Sequence, residues 1–174
     1  MISKRCTRIY EEHLKNLEPN LHKHLTENEV VPELHLTRWL RCMMSREFCI
    51  ESTLKMWDFM FSGIRDEMVT AALSIQEDNL DFVSLLKESS QDPFINLECL
   101  SIAMIALQKA DLLESDFSMC LGLLMSYKEP DDPSIVLEHA TKVRRRIVHG
   151  EQYQRSPSPD LTQFNDEAEE AKDY

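Results

Sequence analysis

The chemistry this chain has to offer begins with histidine and cysteine. His22 and His24 stand two residues apart, with His35 and Cys42 further on, and together they present nitrogen and sulfur ligands for a metal. Their spacing matches no standard zinc arrangement, and positions two apart on a helix face different ways. They read as ordinary surface or core side chains, with no metal expected. The five cysteines, Cys6, Cys42, Cys49, Cys99 and Cys120, are odd in number and form no Cys-x-x-Cys pair. At apolar positions of helical patterns, they read as free buried thiols of a reducing compartment. Nothing places a base beside any of them, so cysteine–histidine catalysis has no candidate. The cations Lys142, Arg144, Arg145 and Arg146 could meet phosphate or an acidic partner. They also close a helical pattern, where each complements the helix dipole for roughly 0.3–1 kcal/mol, and that reading is preferred. Three glycines in 174 residues leave no phosphate loop, and no cofactor is expected. Ser156-Pro157 and Ser158-Pro159 make Ser156 and Ser158 candidate proline-directed phosphorylation sites, although such dipeptides are common by chance.

The elements that must carry these residues are helical. Leu, Met, Glu and Lys are abundant, which favours helix over sheet, and the class expected is all-α with about 7–9 helices. An amphipathic pattern covers residues 2–17 through Ile2, Cys6, Ile9, Tyr10, Leu14 and Leu17. Glu18-Pro19-Asn20 breaks it before a short helix over Leu21–Leu25. Val30-Val31 should be extended ahead of Pro32, which suits the first position of a helix reaching about Met44. In it Leu36, Trp39, Leu40 and Met43 form one buried stripe. After a charged corner, Ser45-Arg46-Glu47, a second stripe of Ile50, Leu54, Trp57, Met60 and Phe61 is expected to face the core, with Ser62-Gly63 as a C-cap. Ile64–Pro93 is acidic and polar and reads as an inserted excursion. Phe94 to Leu107 is the most hydrophobic helix. Ser115 or Asp116 is a candidate N-cap for Phe117–Tyr127, and Pro133–Val148 is a last amphipathic helix ended by Gly150. Residues 1–150 are expected to form one domain and 151–174 a disordered acidic tail.

Charge and hydropathy remove several function classes. The formal net charge of −12 argues against nucleic acid and anionic membrane surfaces, both of which call for a basic footprint. No apolar run approaches the roughly 18 residues of a membrane helix, and residues 1–20 lack the apolar core of a signal peptide. The expectation is a soluble, cytoplasmic protein.

One longer pattern goes further. The run EPNLHKHLTENEVVPELHLTRWLRCMMSREFCIESTLKMWDFMF resembles the TBC domain of Rab GTPase-activating proteins. The resemblance rests on Leu21, His24 and Leu25, then Pro32, an arginine-tryptophan pair (Arg38, Trp39), an Arg46-Glu47-Phe48 corner, and Leu54, a tryptophan-aspartate pair (Trp57, Asp58) and Phe61. The stretches RIYEEHLKNLEPNL and DFSMCLGLLMSY look most like the subgroup around TBC domain family member five. The two blocks cover roughly residues 8–63 and 94–127, and on their order the chain is expected to be the C-terminal half of such a domain.

Proteins of this family insert an arginine finger and a glutamine finger into a GTP-bound Rab. An arginine supplied in trans raises hydrolysis about 10³–10⁵-fold. The resemblance implies that both fingers lie in isoleucine-x-x-aspartate-x-x-arginine and tyrosine-x-glutamine motifs, and neither occurs in this sequence. Ile64-Arg65-Asp66 has the wrong order, and Tyr153-Gln154 the wrong spacing. No residue therefore inherits a catalytic role, and Pro32, Arg38, Trp39, Arg46, Glu47, Phe48, Trp57 and Asp58 are expected to be structural. The expectation is a regulator rather than an enzyme: part of a Rab-GAP domain in vesicle trafficking, peripheral on endosomal membranes, with a Rab, the other domain half or another protein as partner. The alternative is a non-catalytic Rab-binding or trafficking scaffold.

Overall fold

The computed structural model describes residues 2–74, Asp92 and residues 94–149, with side chains over 2–62, Asp92 and 94–148. Among the described residues the protein is all-α, with eight helices. The far part of the polar excursion, Gly150, the acidic tail, Ser156 and Ser158 lie outside them.

Helix α1 runs through Ile2–Arg8, a π-helical stretch Ile9–Leu14 and a last turn Lys15–Leu17. It buries Cys6, Ile9, Tyr10 and Leu14, with Ile2 and Leu17 partly covered. The wider π turns keep Ile9, Tyr10 and Leu14 all turned inward. Helix α2, Pro19–Glu27, starts one residue after Glu18 with proline in its first turn, where the missing N–H costs nothing. It ends in a Schellman motif: Val30 N–H donates to Leu25 O at 2.9 Å and Glu29 N–H to Thr26 O at 3.0 Å. Glu29 takes the left-handed position, φ 57°, which lets Val30 fold back into the core beside Leu25.

Helix α3, Glu33–Arg41, follows Pro32 and buries His35, Leu36, Trp39 and Leu40. It stops three residues before the expected end. Met43 and Met44 both turn left-handed, φ 48° and 64°, and Met44 N–H donates to Trp39 O at 3.0 Å. That reversal sends the Met44 side chain fully inward while Met43 is only partly covered.

Helix α4, Ile50–Ser74, is 25 residues long, about 37 Å at 1.5 Å per residue. It runs straight through Gly63, so the expected C-cap there is absent. Its core-facing stripe also differs from expectation. Ser52, Thr53, Met56 and Met60 are buried, whereas Ile50, Leu54 and Phe61 are 64%, 52% and 45% exposed. The helix carries two stripes, and distant anchors choose between them. Thr53 Oγ1 donates to Phe48 O at 3.3 Å, and the Asn96 amide donates to Phe59 O at 2.8 Å.

Helix α5, Ile95–Leu107, is the middle of the molecule: every residue from Ile95 to Ile105 is buried. A helix apolar all round is a fully enclosed one. Around it pack α1, α3, α4 and, most extensively, α8, Ser134–His149, which lays down Val136, Ala140 and Val143. The short α6, Lys109–Leu113, and α7, Phe117–Met125, close one end. Asp116 caps α7, its carboxylate accepting from Met119 N–H at 2.9 Å.

Candidate functional site

The residues singled out from the α3–α4 region converge on one corner. The Arg38 guanidinium reaches from α3 to the Met125 carbonyl at the end of α7 and to Glu47. Its Nη2 lies 2.6 Å from Glu47 Oε1. This is a charge contact without hydrogen-bond alignment: both Glu47 carboxylate oxygens and Arg38 Nε are buried with no hydrogen-bond partner. Burial accordingly pushes the Glu47 carboxyl above its ordinary value, against the pull of Arg38. Trp39, fully buried, stacks edge-on to His35 at 5.1 Å and to Tyr127 at 5.9 Å, and Phe48 meets Tyr127 at 5.5 Å. Trp57 is half-buried, and its indole N–H donates to Met43 O at 2.8 Å, holding the left-handed corner from α4. Pro32 introduces α3. Arg46 and Asp58 are exposed; Arg46 acts on the cluster only through its charge and backbone N–H, which favour the Glu47 carboxylate.

The histidines do not converge. His22 lies 3.3 Å from Glu11, and the His24 ring N–H donates to Ser115 O at 2.9 Å. His35 is enclosed between Tyr10 and Trp39, where burial, reinforced by the nearby Arg38 charge, lowers its pKa to about 3. All five cysteines are free, but only Cys6, Cys99 and Cys120 are buried. Cys42 is half-buried and Cys49 exposed, which corrects the expectation of buried thiols. Cys49 immediately precedes α4, and its backbone N–H donates to the Glu129 carboxylate at 2.7 Å. In α8, Lys142 and Arg145 are exposed and Arg144 is half-buried.

A second polar centre went unnoticed in the sequence. Glu98 sits fully buried in the first turns of α5. Arg5 donates to it at 2.7 Å, Arg8 Nε at 3.0 Å, and His13 lies 3.2 Å away. The same two arginines hold Asp92, Arg5 at 2.9 Å. Burial works to raise the Glu98 pKa, but hydrogen bonds from His13, Arg8 and Arg5 outweigh it and hold the carboxyl below its ordinary range. The two arginines likewise bring Asp92 to about 2. Arg5 also lies over the Phe94 ring, 5.1 Å from its centroid. The available signal was Glu98 itself, the one charged residue between Ile95 and Ile105. A carboxylate there requires cationic partners, though their positions are not legible from spacing.

Among the described residues no nucleophile–base–orienter arrangement is formed, and Arg5, Arg8 and Arg38 are already engaged with carboxylates. The geometry defines a helical scaffold with exposed apolar side chains on α4, suited to contact with another macromolecule. Comparison with known proteins narrows this. The Rab-GTPase-TBC domain family model matches residues 2–80, which here are α1 to α4 and the residues just after them. TBC1 domain family member 5 homolog A of Dictyostelium discoideum is 29% identical over 153 residues, 87% of this chain and 11% of that protein. TBC1 domain family member 5 of Homo sapiens is 25% identical over 161 residues, 92% of this chain and 16% of that protein. TBC1 domain family member whacked of Drosophila melanogaster is 26% identical over 151 residues, 86% and 39% respectively. The chain is thus similar to TBC-domain proteins, and it spans only a minor part of their length. No solved structure matches it.

This match corrects the expectation that the chain is the C-terminal half of a TBC domain. The matched region is the N-terminal part of the chain, residues 2–80, and it stops short of the second block, 94–127, on which that assignment also leaned. Ordered motifs between residues 8 and 63 carry the likeness. They do not establish which half of a domain is present.

Proposed function

We propose that this protein serves a Rab-GAP-related function, docking on a Rab-family small GTPase in its GTP-bound state and acting in vesicle trafficking from the cytoplasm, at the periphery of endosomal membranes. The observation that carries this reading is the match of residues 2–80 to the Rab-GTPase-TBC domain family. Partner and compartment are extended from that likeness. Among the described residues no helix is long and apolar enough to cross a membrane, which is compatible with peripheral attachment.

On this reading the chain regulates a GTPase without itself supplying the catalytic groups. Neither finger motif occurs in its sequence. Arg5, Arg8 and Arg38 are committed to Glu98, Asp92 and Glu47. An arginine finger must be free to reach a phosphoryl group, and withdrawing Arg38, or Arg5 and Arg8 together, would strip a buried carboxylate of its arginine partners. The same commitments favour the second reading, a Rab-binding scaffold that leaves hydrolysis unchanged.

The test is single-turnover GTP hydrolysis by a panel of Rab proteins with and without this chain, alongside binding to each Rab in its GTP- and GDP-loaded states. Preferential binding to one GTP-loaded Rab with no acceleration is the expected result. Acceleration approaching the 10³-fold of a supplied arginine would overturn the non-catalytic assignment. Absence of binding to every Rab would overturn the proposal as a whole.

A further inference from the structure

Helix α1 carries one more residue than a regular α-helix would need to make its contacts. Arg5, Arg8 and His13 all reach Glu98, at steps of three and then five residues, and the five-residue step spans the π turn Ile9–Leu14. The apolar side repeats that step, since Ile9 and Leu14 are both fully buried. In an uninterrupted α-helix, Arg8 and His13, or Ile9 and Leu14, would point about 140° apart and could not share a face. The i→i+5 ladder of a π turn brings each pair together. Nothing local demands such a turn. Residues 2–17 hold neither glycine nor proline, and the turn itself, IYEEHL, contains a leucine and two glutamates, which suit an α-helix.

The polar face shows what the extra residue accomplishes. Continued as α-helix beyond Arg8, α1 would bring position 12 within about 10° of the direction midway between Arg5 and Arg8, and leave position 13 about 110° away. Position 12 is Glu12, which here is exposed beside Glu11. At Glu98 two arginines already balance two carboxylates, Glu98 and Asp92. A third carboxylate would enter this buried site with no further cation to meet it. With the π turn, His13 takes that place, a ring nitrogen 3.2 Å from Glu98 Oε2, and Glu12 stays in water.

We propose that the π turn is a register device: it stores one residue so that His13, and not Glu12, meets the buried Glu98 carboxylate. The device lies between α1 and α5 and is independent of any contact with a GTPase.

Two single-residue deletions in the full chain test it. Removing Glu12 or removing His13 shortens the turn equally, and either sets Ile9 and Leu14 four residues apart, on one face of an α-helix. The two products differ only in whether histidine or glutamate faces Glu98. Urea unfolding followed by far-UV circular dichroism reads the difference. Deletion of Glu12 should keep the wild-type midpoint, and deletion of His13 should lower it by roughly 1 M or more. Adding Glu98→Gln to the His13 deletion should recover part of that loss, since Glu12 then supplies the charge that Glu98 gave up. The same substitution in the Glu12 deletion should lower the midpoint. Equal midpoints for the two deletions, a Glu12 deletion that unfolds the chain, or a His13 deletion not improved by Glu98→Gln would overturn the proposal.

Discussion

Burial of His35 between Tyr10 and Trp39 makes its protonation a folding event. The unfolded imidazole takes up a proton near pH 6.5, whereas the folded one does so only near pH 3. Protons therefore favour the unfolded chain throughout that interval. The His35 contribution is complete above about pH 6.5 and is lost on acidification toward 3, at up to about 1.4 kcal/mol per pH unit. Glu47, raised by burial, acts in the opposite sense, because its neutral form is preferred in the fold. Comparing urea unfolding of the wild type and His35→Gln between pH 7 and 5 cancels that second effect. The variant should show a distinctly shallower loss of stability, and equal slopes would mean that the ring is protonated in the folded state. Glu98 is the other residue on which folding turns. Glu98→Gln leaves Arg5 and Arg8 facing a neutral amide in a buried setting, and a loss of roughly 3–5 kcal/mol is expected by denaturant unfolding. A loss below about 1 kcal/mol would reduce the cluster to a surface contact.

At the scale of elements, the ends of α2 and α3 depend on residues in unusual backbone positions. Glu29 occupies the left-handed site of a Schellman motif, where glycine is the natural occupant. Left-handed backbone costs an L residue roughly 1–2 kcal/mol, and the extra freedom of glycine in the unfolded chain returns part of that. Glu29→Gly should therefore stabilise the protein by about 0.5–1 kcal/mol, read as a rise in the urea midpoint at unchanged m-value. The α3–α4 corner holds two such residues, Met43 and Met44, and its clasp is the Trp57 N–H on Met43 O. Trp57→Phe keeps most of the packing and strands that carbonyl, for about 1–3 kcal/mol. If hydrogen exchange at Met44 and Ser45 did not accelerate in this variant, the corner would be held by packing alone. Replacing the α7 cap, Asp116→Ala, should cost about 0.5–2 kcal/mol.

For the whole molecule, α5 is the element against which the others are positioned. It receives α1 through Glu98, α4 through the Asn96 bond to Phe59 O, and α8 through Val136, Ala140 and Val143. Function is expected at the surface of this assembly rather than inside it. The described interior holds no reactive arrangement, and its buried charges are matched against one another. Binding to a GTP-loaded Rab without acceleration of hydrolysis is the corresponding measurement.

The sequence by itself determined the class, the position of the central helix and the likeness to TBC-domain proteins, though not which half of such a domain it resembles. A helix apolar on every face can only be enclosed, so Ile95–Ile105 announced itself. Pro32 at the head of α3 and a cap at Ser115 or Asp116 were legible because capping and proline geometry are local, and the structure chose Asp116. The order of Leu21, Pro32, Arg38-Trp39, Arg46-Glu47-Phe48 and Trp57-Asp58 carried the likeness to TBC-domain proteins. Tertiary structure alone decided which stripe of α4 faces inward. Both stripes have helical spacing, and the more apolar one lost to Ser52, Thr53, Met56 and Met60 because Phe48 and Asn96, remote in the chain or beyond a turn, fix the rotation of that helix. It also decided the pairing of Glu98 with Arg5 and Arg8, some ninety residues away, since charge attraction has no sequence period. The side chains left outside by that choice, Ile50, Leu54 and Phe61, are the ones a partner can reach.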